Sequence, residues 1–181
     1  VTDGNAKAFG KFDLKDLGVL RKEPDRDFDT AVMLASRSLR TPIATFSVLD
    51  FEGGIARLRA HVGTNDAVAE VYEIPITTSL TLSAMSESDV ISIPDTGRDP
   101  LTQNNPFVAS QSVQSLLAAP VLCPAQDVVA MIGVHDRVPR IWTAEDKQTI
   151  LGFAHFCTQV ILLRASLRTL GIVSRRGRPP A

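Results

Sequence analysis

The chain reads as an α+β domain: a mostly antiparallel sheet, helices from the two ends of the chain on one face, and short helices with a long loop on the other. Three observations predict this. An amphipathic helix opens the ordered body and a much longer one closes it. Between them lie two pairs of strands, each pair joined by too few residues to be parallel neighbours. Finally, "IPDTGRDPLTQNNPFVASQSV" keeps about fifteen polar and turn-forming residues between two apolar strands, a length that compact domains reserve for binding loops and lids.

Residues 1–24 alternate charge with isolated apolar positions and read as an arm with one short helix, "FDLKDLGVL". The body, residues 25–170, opens with "DFDTAVMLASRSLR", where Phe28, Ala31, Val32, Ala35 and Leu39 fall at helical spacing. Asp25 or Asp27 stands ready to cap it, and Thr41-Pro42 stops it. Ile43 to Leu49 is dense in β-branched and apolar residues, "DFEGG" is turn chemistry, and Ile55 to Val62 alternates imperfectly. Together they form a hairpin whose first strand is central and whose second lies nearer an edge. "DAVAEVYEI" and "TTSLTLSAMSES" read as two loosely amphipathic helices, and "DVISI" as a short strand. After the long loop, "VQSLLAAPVLC" and "DVVAMIGVHD" make a second hairpin. Thr143 to Asp146 has the form of a capping box. Ile150, Phe153, Ala154, Cys157, Val160, Ile161, Leu167 and Leu170 then recur every three or four residues. A helix from Ala144 to about Leu170 would be ~40 Å long, more than a sheet of this size needs as cover. Residues 171–181 are basic and Pro-rich, expected to be a disordered tail or linker.

At 181 residues the chain holds one sizeable core. A hydrophobic content of 44%, 22% charged residues and a net charge of -1 fit a soluble globular domain and argue against a nucleic-acid-binding body. The tail does contain Arg176-Gly177-Arg178-Pro179, the core of an AT-hook, but a four-residue match does not carry nucleic-acid binding. No apolar run approaches the ~20 residues that span a bilayer and no signal-peptide core is present, so the expected location is cytoplasmic, without membrane contact. Cys123 and Cys157 have neither metal nor redox spacing and read as reduced, buried thiols.

The order of motifs from about Leu17 to Leu170 resembles the GAF domain family, the small-molecule-sensing and dimerising modules of signalling proteins. "FDTAVMLASRSLRTPIATFSVLD" is similar to the family's opening helix and first strand, and "DVISIPDTGRDPLTQNNPFV" to its strand, Pro-Asp turn and loop. "VQSLLAAPVL" and "VVAMIGVHDRVPRIWTAED" resemble the strands and turn that lead into the last helix. The resemblance implies a twisted antiparallel sheet of five or six strands, with a ligand pocket between the sheet and the middle helices and loop. The expected function is non-catalytic sensing of an unidentified small molecule by a domain of a bacterial signalling protein, linked to an output domain. A stand-alone ligand-binding regulator and a small GAF-fold enzyme, such as a redox-active reductase, are the alternatives.

Departures narrow the chemistry. Where many relatives carry Ser-Phe-Cys-x-His, this chain reads Ser79-Leu80-Thr81-Leu82-Ser83. Covalent bilin attachment is therefore not expected, and the paired cysteines of GAF-fold methionine sulfoxide reductases are missing. His61, His135 and His155 lie on separate elements with no metal-ligand spacing, so no metal is expected. The pocket residues implied are Phe46, Thr81, Ser83, Asp95, Arg98, Asp99, Phe107 and Ser115. Arg98 pairs with its aspartate neighbours or grips a ligand carboxylate or phosphate, and Phe107 plugs the loop into the core or offers a stacking platform. A homodimer is expected through Phe28, Val160, Leu163, Leu167 and Leu170, because an exposed stripe of this kind is rare in monomers.

Overall fold

The computed structural model describes residues 24–65, 73–76, 90–102, 105–123 and 126–176. Helix α1 is Arg26–Leu39. The Asp25 carboxylate accepts from the Asp27 N–H at 3.3 Å, so Asp25 is the cap, with Asp27 and Asp29 at the positive end of the helix dipole. Arg40 turns left-handed and its N–H closes onto the last carbonyls, ending α1 before Pro42.

Strands β1 (Ile43–Asp50) and β2 (Ile55–Val62) form the first hairpin. Its turn is held by the Asp50 carboxylate, which accepts from the Gly53 N–H at 2.8 Å. Glu73–Pro75 forms β3 and Ile91–Ile93 forms β4. A one-and-a-half-turn helix, α2 (Pro106–Gln111), precedes β5 (Ser115–Leu122) and β6 (Val128–Asp136). Helix α3 is Ala144–Arg176. The six strands lie in the order β3-β2-β1-β6-β5-β4, with every neighbouring pair antiparallel.

Alternation along the strands makes two unlike faces. Ala44, Phe46, Val48, Leu117, Ala119, Val121, Ala130, Ile132 and Val134 point to one, where α1 and α3 cover them in the main core. Phe28 stacks on Phe46 with ring centroids 4.1 Å apart. The other face carries Ile43 and Leu116, over which α2 packs through Phe107 and Val108, and a separate cluster of Leu49, Ala56, Ile74 and Met131. The imperfect alternation of β2 has a physical cause: a register shift at Phe46/Ser47 inserts Arg59 as an extra residue. Ala56 and Leu58 therefore face α2, while Ala60 and Val62 face α1. Gly63 closes the strand in a left-handed conformation (φ +74°), where a Cβ would sit 1.8 Å from the Pro42 carbonyl oxygen.

The long segment after β4 is stapled by its own polar side chains. Asp95 and Asp99 accept from the backbone N–H groups of Gly97 and Leu101 at 3.0 and 2.9 Å. Thr96 donates to Val113 O at 2.8 Å and Thr102 to Thr96 O at 2.6 Å. Asn105 caps α2 by accepting from Phe107 and Val108, and Pro106 fits its first turn, where no N–H is needed. At the other hinge, Thr143 and Asp146 form the reciprocal capping box, and Arg140 lies over Trp142 at 4.5 Å while donating to Leu39 O.

Several expectations need correction. Glu73 and Ile74 are strand, not the end of a helix, because Ile74 pairs with Ala56 and buries beside Leu49 and Met131. The loop contains α2. Helix α3 runs past Leu170 to Arg176, so the helix extends into what was read as disordered tail. Part of that helix, Ala144–Leu167, is long and apolar enough by composition to cross a bilayer. One face of that stretch, Ile150, Ala154, Cys157, Ile161 and Ala165, packs against the sheet and α1, and Phe156, Leu163 and Leu167 on the outer side are exposed. Residues 1–23 of the N-terminal arm, residues 66–72 of "DAVAEVYEI", the "TTSLTLSAMSES" helix and residues 177–181 of the tail lie outside the described residues.

Candidate functional site

A cavity of about 80 Å3 lies between α2 and the sheet face that α1 and α3 leave open. Its apolar walls include Leu58, Ile74, Ile91, Leu116, Met131 and Phe107. Polar side chains enter at Thr45 and Ser47 of β1, at Asn105, and at His135 of β6. No Asp, Glu, Lys or Arg lines it among the described residues.

Register explains how Thr45 and His135 meet. Thr45 pairs directly with Gly133, and His135 with Ile43. The imidazole reaches diagonally along the face, and its Nε2 lies 2.9 Å from Thr45 Oγ1. Gly133 makes room: a Cβ there would lie 3.2 Å from that of Ala118 and 3.5 Å from His135 Nε2. Phe107 tilts against the imidazole with ring centroids 5.0 Å apart. His135 is 7% exposed, and among the described residues its buried Nδ1 has no hydrogen-bond partner. Burial pushes its pKa down to about 4, so the ring is neutral at pH 7. An orphaned buried polar atom of this kind costs about 1–3 kcal/mol.

The residues implied by the sequence divide sharply. Phe107 lines the cavity. Phe46 does not: it is one residue out of phase with Thr45 and points into the core under α1. Ser115 also faces away, donating to Val138 O at 2.8 Å. Asp95 and Asp99 hold turns, and Arg98, with 88% of its side chain exposed, pairs with Asp95 at 3.2 Å outside the cavity. Thr81 and Ser83 lie outside the described residues. His135, which the sequence reading left as an ordinary histidine at a strand end, is the polar centre of the cavity. A buried-strand run, "VVAMIGVHD", that carries one imidazole on the face of Met131 was the available signal.

Both cysteines are free and belong to the core beneath α1 and α3, and neither lines the cavity. Burial, together with the nearby Asp25 and Asp27 charges, pushes the Cys157 thiol up to about 12, far from a reactive thiolate. Among the described residues no cluster of His, Cys, Asp and Glu is arranged to hold a metal.

The outer side of α3 forms a second surface. Phe156, Val160, Leu163, Leu167 and Leu170 follow one another at intervals of four, three, four and three, the spacing of a coiled-coil seam. Leu163, Leu167 and Leu170 are 61, 59 and 66% exposed, and Val160 is half-buried. Phe28 does not belong to this surface: it is fully buried, with Arg164 of α3 stacked on its ring at 5.0 Å. Arg164 clasps Asp25 through two hydrogen bonds of 2.6 and 2.8 Å and reaches Asp27 at 2.8 Å. Burial alone would raise the Asp25 pKa. The Arg164 hydrogen bonds and charge, helped by the N–H groups of Asp27 and Phe28, outweigh it and hold the carboxyl below its usual value.

The fold is an α+β domain with a roofed cavity, and the family pattern described as "GAF domain" matches residues 23–161. The chain belongs to the GAF domain family. No curated protein matches its sequence. Among solved structures it resembles the GAF domain of an Acinetobacter phosphoenolpyruvate-protein phosphotransferase, at 14% identity and TM-score 0.64 over 80% of this chain and 83% of the other. The blue-light absorbing form of the Thermosynechococcus elongatus PixJ GAF domain is similar at 18% identity and TM-score 0.66, covering 84% and 90%. The free methionine-R-sulfoxide reductase of Neisseria meningitidis aligns at 11% identity and TM-score 0.62, covering 81% and 84%. At these identities the likeness establishes the fold.

Proposed function

We propose that this protein is a non-catalytic regulatory domain that senses a small molecule in the cavity under α2, dimerises through the outer stripe of α3, and works in the cytoplasm on an attached or partner output domain. The observation that carries the sensing role is the cavity itself. One sheet face is sealed by two long helices, and the other is held open beneath a loop whose own hydrogen bonds keep it in place.

A GAF-fold enzyme is the weaker reading. Thr45 and His135 have the spacing of a hydroxyl and its base, but a general base works with a pKa near the operating pH, and this one is near 4. Among the described residues no carboxylate orients Nδ1 to hold an imidazolium. The cysteines are remote from the cavity, which disfavours a thiol-based reductase.

Native mass spectrometry of the protein as purified, with a thermal-shift screen of metabolites, tests the sensing half. Binding at a hundred times Kd would stabilise the fold by about 2.7 kcal/mol. A complete screen without a shift, and no co-purified mass, would sink it. Light scattering tests the dimer. A monomer would mean that the α3 stripe is covered within one chain, for which the N-terminal arm with Leu14, Leu17 and Leu20 is the available segment.

A further inference from the structure

We propose that Thr158 is the link through which the cavity face of the sheet acts on α3, by way of the backbone N–H of Leu122. This rests on the regulatory role proposed above and names the contact that carries a change in the cavity wall to the outer helix.

Strand register creates the link. Between Val121 and Leu122 the β5–β6 ladder shifts: Val121 lies opposite Ala130 and Leu122 opposite Val128, which leaves Val129 as an extra residue. Val121, Cys123 and Val129 belong to the core under α1 and α3. Leu122 and Val128 pack on the other side, in the cluster of Leu49, Ala56, Ile74 and Met131. Ala56, Ile74 and Met131 also line the cavity. The Leu122 side chain thus belongs to the cavity face, while its N–H donates to Thr158 Oγ1 of α3 at 3.1 Å. Thr158 is itself buried, so water is not a ready substitute for its hydroxyl. A buried N–H that loses its acceptor is costly to leave unpaired, so the end of β5 and the helix move together rather than apart. The Cys123 N–H, donating to Asp127 O at 2.9 Å, closes the turn just beyond and keeps Leu122 beside Val128. Thr158 stands two residues before Val160 of the outer stripe. A shift of Met131 or Ile74 therefore reaches Leu122 through close packing, and passes from Leu122 to α3 through a directional bond.

The test perturbs the cavity wall by substitution, in the full chain labelled with 15N. Met131→Ala is made in the wild-type, Thr158→Val and Thr158→Ser backgrounds. In the wild-type background it should shift the amide resonances of Leu122, Thr158 and Val160 to Leu163. In the Thr158→Val background, where the acceptor is gone and the branched shape is kept, the shifts at Val160 to Leu163 should fall by about threefold or more while that of Leu122 persists. Thr158→Ser keeps the acceptor and should restore the response. A response lost equally in Thr158→Ser would assign the effect to packing of the threonine methyl and overturn the role of the bond. The link also fails if Met131→Ala leaves α3 unmoved in the wild-type background, or moves it equally in the Thr158→Val one. Should Thr158→Val not fold, a series of wall variants decides: across Met131→Ala, Met131→Leu and Ile74→Val, the Leu122 amide proton shift, which follows the length of its hydrogen bond, should scale with the shifts at Val160 to Leu163. Uncorrelated shifts would overturn the link. No ligand enters these measurements, so the sensing role is decided separately by the metabolite screen.

Discussion

The neutral, buried His135 makes folding stability depend on pH in a way that can be isolated. Its pKa falls from 6.5 in the unfolded chain to about 4 in the folded one, because burial disfavours the charged ring. Between those values the unfolded chain holds a proton that the folded chain refuses. Stability therefore falls as pH falls through 6.5, and this loss levels off below about pH 4. At 1.36 kcal/mol per pKa unit the full effect is about 3 kcal/mol, of which about 2 kcal/mol is reached between pH 7 and 4.5. That is a large part of a typical domain's stability of roughly 5–15 kcal/mol. No other ionisable side chain lines the cavity among the described residues, and Asp136 on the opposite side of β6 pairs with Arg140 at 3.8 Å. Urea unfolding of the wild type and of His135→Gln at pH 7, 6, 5 and 4.5 measures the difference, since the carboxylates common to both proteins cancel. The wild type should lose about 2 kcal/mol more than the variant across this range. Parallel curves would mean that His135 is hydrated or paired in solution and would refute the reasoning.

Replacing Arg164 by Met should lower stability at pH 7 by about 2 kcal/mol in denaturant titrations, by stranding the Asp25 carboxylate. Asp25 has a depressed folded pKa, so its part of the clamp contributes fully above its unfolded value of 3.8, and the difference from wild type should shrink as pH drops through the lowered one. A Leu163→Glu/Leu167→Glu variant should be monomeric by light scattering yet still fold and melt cooperatively, since both side chains are exposed within one chain. Gly133→Ala should weaken binding of a cavity ligand about tenfold in calorimetry, because the new methyl sits between Ala118 and the imidazole. Cys123→Ala/Cys157→Ala should lower the melting temperature yet leave that affinity unchanged, as neither thiol reaches the cavity.

The parts of the fold that were legible in the sequence are those written in a single period. The stripe of Phe28 to Leu39 and the Thr143–Asp146 box mark α1 and the start of α3 because helix spacing and capping are local properties. Glu73–Pro75 was misread because a three-residue strand is defined by its partner Ala56, a contact across the fold that no local pattern encodes. The site was harder for a related reason. Strand β1 is buried along most of its length on both faces, so it reads as a continuous core strand; the alternation of Thr45 and Ser47 with Ala44, Phe46 and Val48 was the local signal, and a slip of one position exchanges Thr45 for Phe46. Asp95, Arg98 and Asp99 drew attention as ligand groups, yet Asp95 and Asp99 hold backbone turns and Arg98 pairs with Asp95. The diagonal meeting of Thr45 and His135 over Gly133 depends on strand register and was invisible before pairing was known.

The Arg164 clasp is also a fulcrum. It ties α3 to the first turn of α1 one position before Ala165, the last residue of α3 seen buried in the core. From Arg164 to Arg176 the helix continues for about 18 Å at 1.5 Å per residue. A rigid rod of that length converts a tilt of about 10° at its pivot into a displacement of about 3 Å at its tip. Small repacking at the sheet would thus arrive at the far end of α3 as a movement comparable to the width of an atom, with the ionic clasp setting the axis about which the rod turns.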